Sequence, residues 1–261
     1  MVRIRGVCID LSGTLHVEDA LTPNAVAALN RLYSDPSQLQ IRFVSNTTKE
    51  SAASLVSRLS ALGLRIRKTD LFTSLSAAAL LVGAEKRNSL LFLGADAKSE
   101  FGTGNSDPDF DSVVVGLSPD HFNYESMTRA MNVLLNAKNP AIIAAHKRRY
   151  MKTKDGLVMG PGPFVAALEY ATGVKARVVG KPEPAFFKLA LDDMKLDPSE
   201  CVHIGDDVRD DVGGALAVGM QGILVKTGKY RLGDESAHGI TPSATVSDFS
   251  AAVDLILESW V

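Results

Sequence analysis

The chain has 261 residues, 46% of them hydrophobic and 22% charged, with a net charge of −2. This length suits one large domain, or one domain carrying a second, with a core that needs no covalent staples. The near balance of 28 Lys and Arg against 30 Asp and Glu argues against nucleic acid or an anionic membrane surface as the main partner.

In chain order, the apolar run 4–11 stopped by Ser12-Gly13 predicts a buried parallel strand. Thr22-Pro23 reads as an N-cap with proline at the first helical position, followed by Val26, Leu29, Leu32 and Tyr33 at helical spacing. A second strand, Ile41 to Ser45, ends at Asn46-Thr47-Thr48. The helix after it carries Leu55, Val56, Leu59 and Leu62 on one face and closes at Gly63. This βαβα opening favours a parallel sheet with right-handed crossovers. The uncharged stretch Leu71 to Ala84 falls short of the roughly 20 residues a bilayer span requires.

The middle of the chain breaks the rhythm. Leu90–Leu93, Val113–Leu117 and Ala141–Ala145 read as strands and 119–137 as helical. The polar, basic segment His146 to Asp155 precedes a hairpin partner at 156–160, and Gly160-Pro-Gly162-Pro marks a loop. The first rhythm then returns, with strands at Arg177–Gly180, Cys201–Gly205 and Gln221–Val225, a helix from near Pro184, and a closing helix over Ser247–Trp260. The fold class expected is α/β: a Rossmann-like doubly wound parallel sheet, residues 1–82 and 166–261, interrupted by a smaller α/β insert at 83–165.

The two cysteines, Cys8 and Cys201, sit in apolar runs and read as buried packing thiols rather than a disulfide framework. Asp10 follows only a very short apolar run, so no signal peptide is expected, and the setting expected is cytoplasmic or nuclear.

Ligands of open α/β sheets bind outside the carboxyl ends of the strands. Those ends carry Asp10-Leu11-Ser12-Gly13-Thr14, Ser45-Asn46-Thr47 and the acidic run Asp206-Asp207-Val-Arg-Asp210-Asp211, and a later strand starts after Gly180-Lys181-Pro182. Each has an ordinary explanation: an Asp in a turn, a Ser-Asn-Thr helix cap, a solvated lysine, an acidic first helical turn. Their convergence on one edge is the stronger signal. Packed aspartates repel and raise one another's pKa unless a cation neutralises them, and a few hard oxygen donors favour magnesium. The run is no EF-hand, because Val208 and Asp211 occupy its third and sixth positions. Walker and nucleophile-elbow motifs are absent from the sequence.

Asp-x-x-Gly-Thr, a Ser/Thr after the second strand, Gly-Lys-Pro and Gly-Asp-x-x-x-Asp-Asp, in this order, resemble the four motifs of the haloacid dehalogenase superfamily. The insert resembles the α/β cap of the subgroup that includes sugar-phosphate and pyridoxal-phosphate phosphatases. The resemblance implies a Mg2+-dependent phosphatase acting on a small phosphorylated substrate or pyrophosphate, and a homodimer formed through the cap. It implies Asp10 as nucleophile, with Asp10, Asp206 and the carbonyl of Ser12 on the metal. Asp211, and less so Asp207, would support the site from behind. Ser45 and Asn46, with Leu11 and Ser12, would contact the phosphoryl group, and Lys181 would neutralise its developing charge.

One position departs from the family pattern. Most phosphatases of this kind carry Asp two residues after the nucleophile, as general acid and base, and this chain carries Ser12. Losing a positioned acid costs about 10²–10⁴ in rate. The departure leaves two expectations: a phosphatase biased toward leaving groups that need little protonation, or a weakly active or inactive binding protein on the same fold. In the insert, Lys147, Arg148, Arg149, Lys152 and Lys154 around Tyr150 read either as a solvated hairpin or as a basic lid for an anion, with His146 beside them.

Overall fold

The computed structural model describes residues 3–102, 109–153 and 156–261, with only the backbone of Lys152, Thr153 and Leu157. The chain forms two compact units, one from 1–45, 56–72 and 181–261 and the other from 46–55 and 73–180.

The first unit holds a six-stranded sheet. Its order is Ala244–Val246, Gln221–Val225, Cys201–Gly205, Gly6–Ile9, Gln40–Ser45 and Leu71–Thr73. The central pairs are parallel, with Ile9 opposite both Ile204 and Phe43. Every residue of Gly6–Ile9 and Cys201–Gly205 is buried, so both faces of these strands are covered, as a doubly wound sheet requires. The helix Ala25–Ser34 packs along the closing helix Phe249–Ser259, and Pro184–Met194 packs against Gly214–Ala217.

The second unit is built on a four-stranded parallel sheet in the order Ala176–Val178, Ala141–Ala144, Ser112–Val115 and Ser89–Phe92. Alternate residues of its strands face two cores. Val113, Val115, Ile142 and Ala144 meet Ala130, Leu134, Val165 and Leu168, which lie on the helices Tyr124–Asn136 and Gly162–Thr172. Val114 and Ile143 meet Leu75, Ala78 and Val82 of the helix Ser74–Ala84. This unit also carries an antiparallel hairpin, Tyr150–Thr153 with Gly156–Met159. Among the described residues, no helix is long and apolar enough to cross a membrane.

Several sequence expectations change. Residues 83–165, read in the sequence as the insert, fall within the second unit, whose longer segment runs over 73–180. The uncharged stretch Leu71 to Ala84 divides into the strand Leu71–Thr73 and the helix Ser74–Ala84, capped by the Thr73 side chain accepting the Ser76 amide. The strand expected at 177–180 joins the second unit's sheet, not the first. Thr22 does not cap a helix. Its hydroxyl donates to the carbonyls of Thr14 and Leu15, and Asn24 starts the helix in the left-handed region at φ 54°. The Ser45-Asn46-Thr47 segment is no cap either, since the next helix begins at Ala52 with Ser51 Oγ accepting the Ser54 amide.

Candidate active site

The strand Gly6–Ile9 delivers Asp10 to the carboxyl edge of the first sheet, where its amide donates to the Ile204 carbonyl at 2.9 Å. Continuing the register of Ile9 with Ile204 and Phe43 sets Leu11 between Asp206 on one neighbouring strand and Ser45 on the other. Lys181 enters from the segment before the helix Pro184–Met194. Its Nζ lies 2.5 Å from Asp10 Oδ1, 2.5 Å from Asp211 Oδ1 and 2.7 Å from the Val44 carbonyl.

These are buried charges: Asp10, Lys181, Asp206 and Asp211 are at most 2% exposed. Buried ions persist only when paired or when they coordinate something. Burial works against the Lys181 ammonium, but Asp10 and Asp211 more than offset it and hold its pKa above the ordinary lysine value. Burial likewise opposes ionisation of Asp211. Lys181 and the His203 contact outweigh it and hold that carboxyl well below the usual range.

Asp211 reaches Lys181 because the backbone after Asp207 winds as a π-turn over Val208–Gly213. The Asp211 and Val212 amides both donate to the Asp207 carbonyl, at 3.0 and 3.2 Å. Such widened turns recur at functional sites. Gly205 leaves room for it, since a Cβ there would stand 2.3 Å from Asp211 side-chain carbons. Asp207 caps this turn, its Oδ1 accepting the Arg209 and Asp210 amides. Its Oδ2 pairs with Lys229 Nζ at 2.8 Å. Asp207 therefore shapes the loop and is tied to Lys229, not to Lys181.

Asp206 differs from its neighbours. One oxygen accepts the Lys229 amide at 2.6 Å, while Oδ1 is buried with no hydrogen-bond partner among the described residues. Burial, with the like charges of Asp10 and Asp211 adding to it, overrides Lys229 and pushes its pKa up to about 7. The loop 227–229 and the Asp10 loop close around this carboxylate. At Gly13, φ +102°, a Cβ would stand 2.2 Å from Asp206 Oδ2, and at Gly228, φ +55°, 2.3 Å. Thr227 Oγ1 locks the two loops together by donating to the Gly13 carbonyl at 2.5 Å.

Ligand atoms of Asp10, Asp206 and Asp211 lie within 4.8 Å of one another. This all-oxygen set, with one unpartnered buried oxygen, fits a hard divalent cation. Within it, both oxygens of Asp211 already have partners, Oδ1 with Lys181 and His203 and Oδ2 with the Asp207 amide.

Ser45 is buried at the end of its strand. The Leu11 carbonyl accepts the Leu15 amide at 2.9 Å, closing the turn after Asp10. Ser12 is exposed on that turn, bridged to His16. Asn46 belongs to the second unit, where a Cβ at Gly180 would stand 2.4 Å from its Oδ1. The basic cluster is partly neutralised: Lys147 pairs with Glu169 at 2.8 Å, and the Arg149 guanidinium lies over the Tyr150 ring. The Lys152 side chain and Lys154 lie outside the described residues. His146 is buried and its Nδ1 accepts the Arg148 amide at 3.4 Å. Sequence reading missed the roles of Lys229, Thr227, Gly228 and His203. The Thr-Gly-Lys run after the Gln221–Val225 strand was the available signal for the first three.

The family model for haloacid dehalogenase-like hydrolases matches residues 7–102, which include Asp10 and Ser45. A related HAD-hydrolase-like model matches 178–252, which include Lys181 and Asp206. The chain is 50% identical to haloacid dehalogenase-like hydrolase domain-containing protein 2 of Bos taurus, over 98% of this chain and 96% of that protein. It is 37% identical to the phospholysine phosphohistidine inorganic pyrophosphate phosphatase of Homo sapiens, over 98% and 95% of the two chains. Among solved structures, the p-nitrophenyl phosphatase from Archaeoglobus fulgidus superposes with a TM-score of 0.87 at 25% identity, covering 97% of this chain and 99% of that one. With identity at this level sustained over nearly the full length of both chains, the protein belongs to the haloacid dehalogenase-like hydrolase family and is an enzyme of that class.

Proposed function

We propose that the protein is a magnesium-dependent phosphatase that works through an aspartyl-phosphate on Asp10. The observation that carries this reading is the pairing of the buried Asp10 carboxylate with Lys181 beside the unpartnered oxygen of Asp206. A nucleophilic carboxylate, a fixed cation and a second carboxylate short of one partner are what an incoming phosphoryl dianion and its counter-ion require. Relatives whose names describe phosphatases support the same chemistry.

An Asp10 oxygen attacks phosphorus, the bond to the leaving group breaks, and the electron pair departs with that group. Water then cleaves the acyl phosphate, releasing inorganic phosphate and restoring the carboxylate. Lys181, held in place by Asp211 and the Val44 carbonyl, offsets negative charge between Asp10 and the phosphoryl oxygens. Magnesium, when bound by Asp10, Asp206 and the Ser12 carbonyl, would supply Lewis-acid stabilisation of the transferring group. Ser45 would donate to one of its oxygens.

Ser12 sets the substrate class. A serine hydroxyl is a poor proton donor at neutral pH, so leaving groups that depart with little protonation are favoured: phosphoramidates, aryl or acyl phosphates and pyrophosphate. A homodimer through the inserted unit is part of this reading, and light scattering tests it.

The central experiment measures phosphate release from an aryl phosphate with magnesium. Turnover by the wild type and its loss in Asp10→Asn are expected. Absence of turnover across esters, phosphoramidates and pyrophosphate would instead assign a binding protein that has kept the fold.

A further inference from the structure

His203 sits on the Cys201–Gly205 strand and is completely buried. Its Nε2 lies 3.3 Å from Asp211 Oδ1, the oxygen that also meets Lys181. Its Nδ1 is buried with no partner among the described residues. An orphaned N–H is rarer and costlier in a protein interior than an orphaned acceptor, so the geometry favours the neutral tautomer with the proton on Nε2. Burial, which pulls the imidazole below its ordinary pKa, agrees with a neutral ring.

We propose that His203 is a positioning residue for the phosphoryl-transfer site, its Nε2–H fixing Asp211 so that Asp211 in turn fixes Lys181 against Asp10. This rests on the phosphatase reading of Asp10 and Lys181. Asp211 has three donors around it: His203 Nε2, the Asp207 amide at 3.0 Å and Lys181. Lys181 is shared between Asp211 and Asp10 at equal distances of 2.5 Å. Removing the imidazole donor leaves Asp211 to draw more of the ammonium to itself, and Asp10 loses what Asp211 gains. His203 thus acts from behind the site, three polar contacts from the nucleophile: to Asp211, on to Lys181, and from there to Asp10. The competing explanation is packing alone: the ring meets Phe187 edge-on, with centroids 5.2 Å apart.

His203→Leu keeps apolar volume and loses the donor, whereas His203→Gln can still offer an amide N–H to Asp211. With an aryl phosphate and magnesium, kcat of His203→Leu should fall about 10-fold to 100-fold, the range for loss of an outer-shell partner, with KM unchanged. His203→Gln should recover most of it. Equal kcat in His203→Leu and wild type would overturn the proposal, as would equal losses in both variants.

Nitrogen NMR of the wild-type imidazole gives a readout independent of activity and of whether a variant folds. The proton on Nε2 and a bare Nδ1 are expected, and the opposite tautomer refutes the contact. Should the wild type turn over no phosphate compound, the phosphatase reading fails, while this spectrum still decides whether His203 donates to Asp211.

Discussion

Lys181 Nζ and Asp10 Oδ1 stand 2.5 Å apart in the protein interior, although 171 positions separate them in the sequence. Each is the other's compensation for burial, and Asp211 Oδ1 completes the set at the same 2.5 Å from the ammonium.

Replacing Lys181 with Met should therefore cost far more than one surface ion pair. It strands two buried carboxylates, which typically destabilises by about 3–5 kcal/mol. Urea unfolding measures this, and an unchanged midpoint would show that another cation serves Asp10 and Asp211. The wild-type cluster also sets two pH limits. Asp211, with its folded pKa lowered, contributes stability present above the ordinary carboxylate range and lost as pH falls through the lowered value. Lys181, with its folded pKa raised, contributes stability present below the ordinary lysine range and lost as pH rises through the raised value.

Asp206 has the opposite sign. Its folded pKa is raised to about 7, so the folded protein holds a proton there that the unfolded chain has lost. Stability from this group falls as pH rises from about 4 to about 7. Asp206→Asn should raise stability in chelator above pH 7, by about 1–3 kcal/mol for removal of a buried charge that lacks full compensation. Near pH 4 it should have little effect. Magnesium should stabilise the wild type and not this variant. Thermal melts across pH, with and without magnesium, test both statements, and equal magnesium shifts in the two proteins would remove Asp206 from the metal site.

Ser12→Asp should change selectivity rather than architecture, because Ser12 is exposed on its turn. The added carboxyl can act as a general acid, so alkyl-phosphate turnover should rise relative to phosphoramidate turnover. Given the usual worth of such a group, the ratio should shift by about 10²-fold or more. An unchanged ratio of kcat/KM values would mean that Ser12 does not determine the leaving group.

Gly205→Ala should disable the site by crowding alone. The new methyl would stand 2.3 Å from Asp211 side-chain carbons, so the π-turn must move or the strand must shift. Overpacking of this kind costs about 1–3 kcal/mol, and Lys181 would lose its alignment with it. A crystal structure of the variant should show Asp211 displaced. Wild-type turnover in the variant would show that the placement of Asp211 is not needed.

Sequence alone determined the alternation of strands and helices and the strand ends that carry chemistry. Apolar periodicity is local, and the strands at 201–205 and 221–225 were readable to the residue. Strand-end position singled out Asp10 and Asp206 as candidates, since strand ends are where an α/β sheet places its ligands, whereas Lys181 stood out through its Gly-Lys-Pro motif.

Three things depended on tertiary structure. The strand at Ala176–Val178 reads like its neighbours in the chain, yet its pairing with Ala141–Ala144 assigns it to the other sheet. Partner choice between sheets leaves no mark on a single strand's pattern. The four aspartates of 206–211 are chemically identical, and only the π-turn and the two glycine-lined loops give them different partners. Asp211 thereby becomes a held carboxylate, Asp207 a cap and Asp206 a carboxylate with one buried oxygen unpartnered. Finally, His203 reads as one more position in an apolar strand. Its value to the site arises from Asp211, eight residues later, folding back onto the strand's own face. Electrostatics and hydrogen bonding act through space, so these roles belong to the folded chain and not to its residues in series.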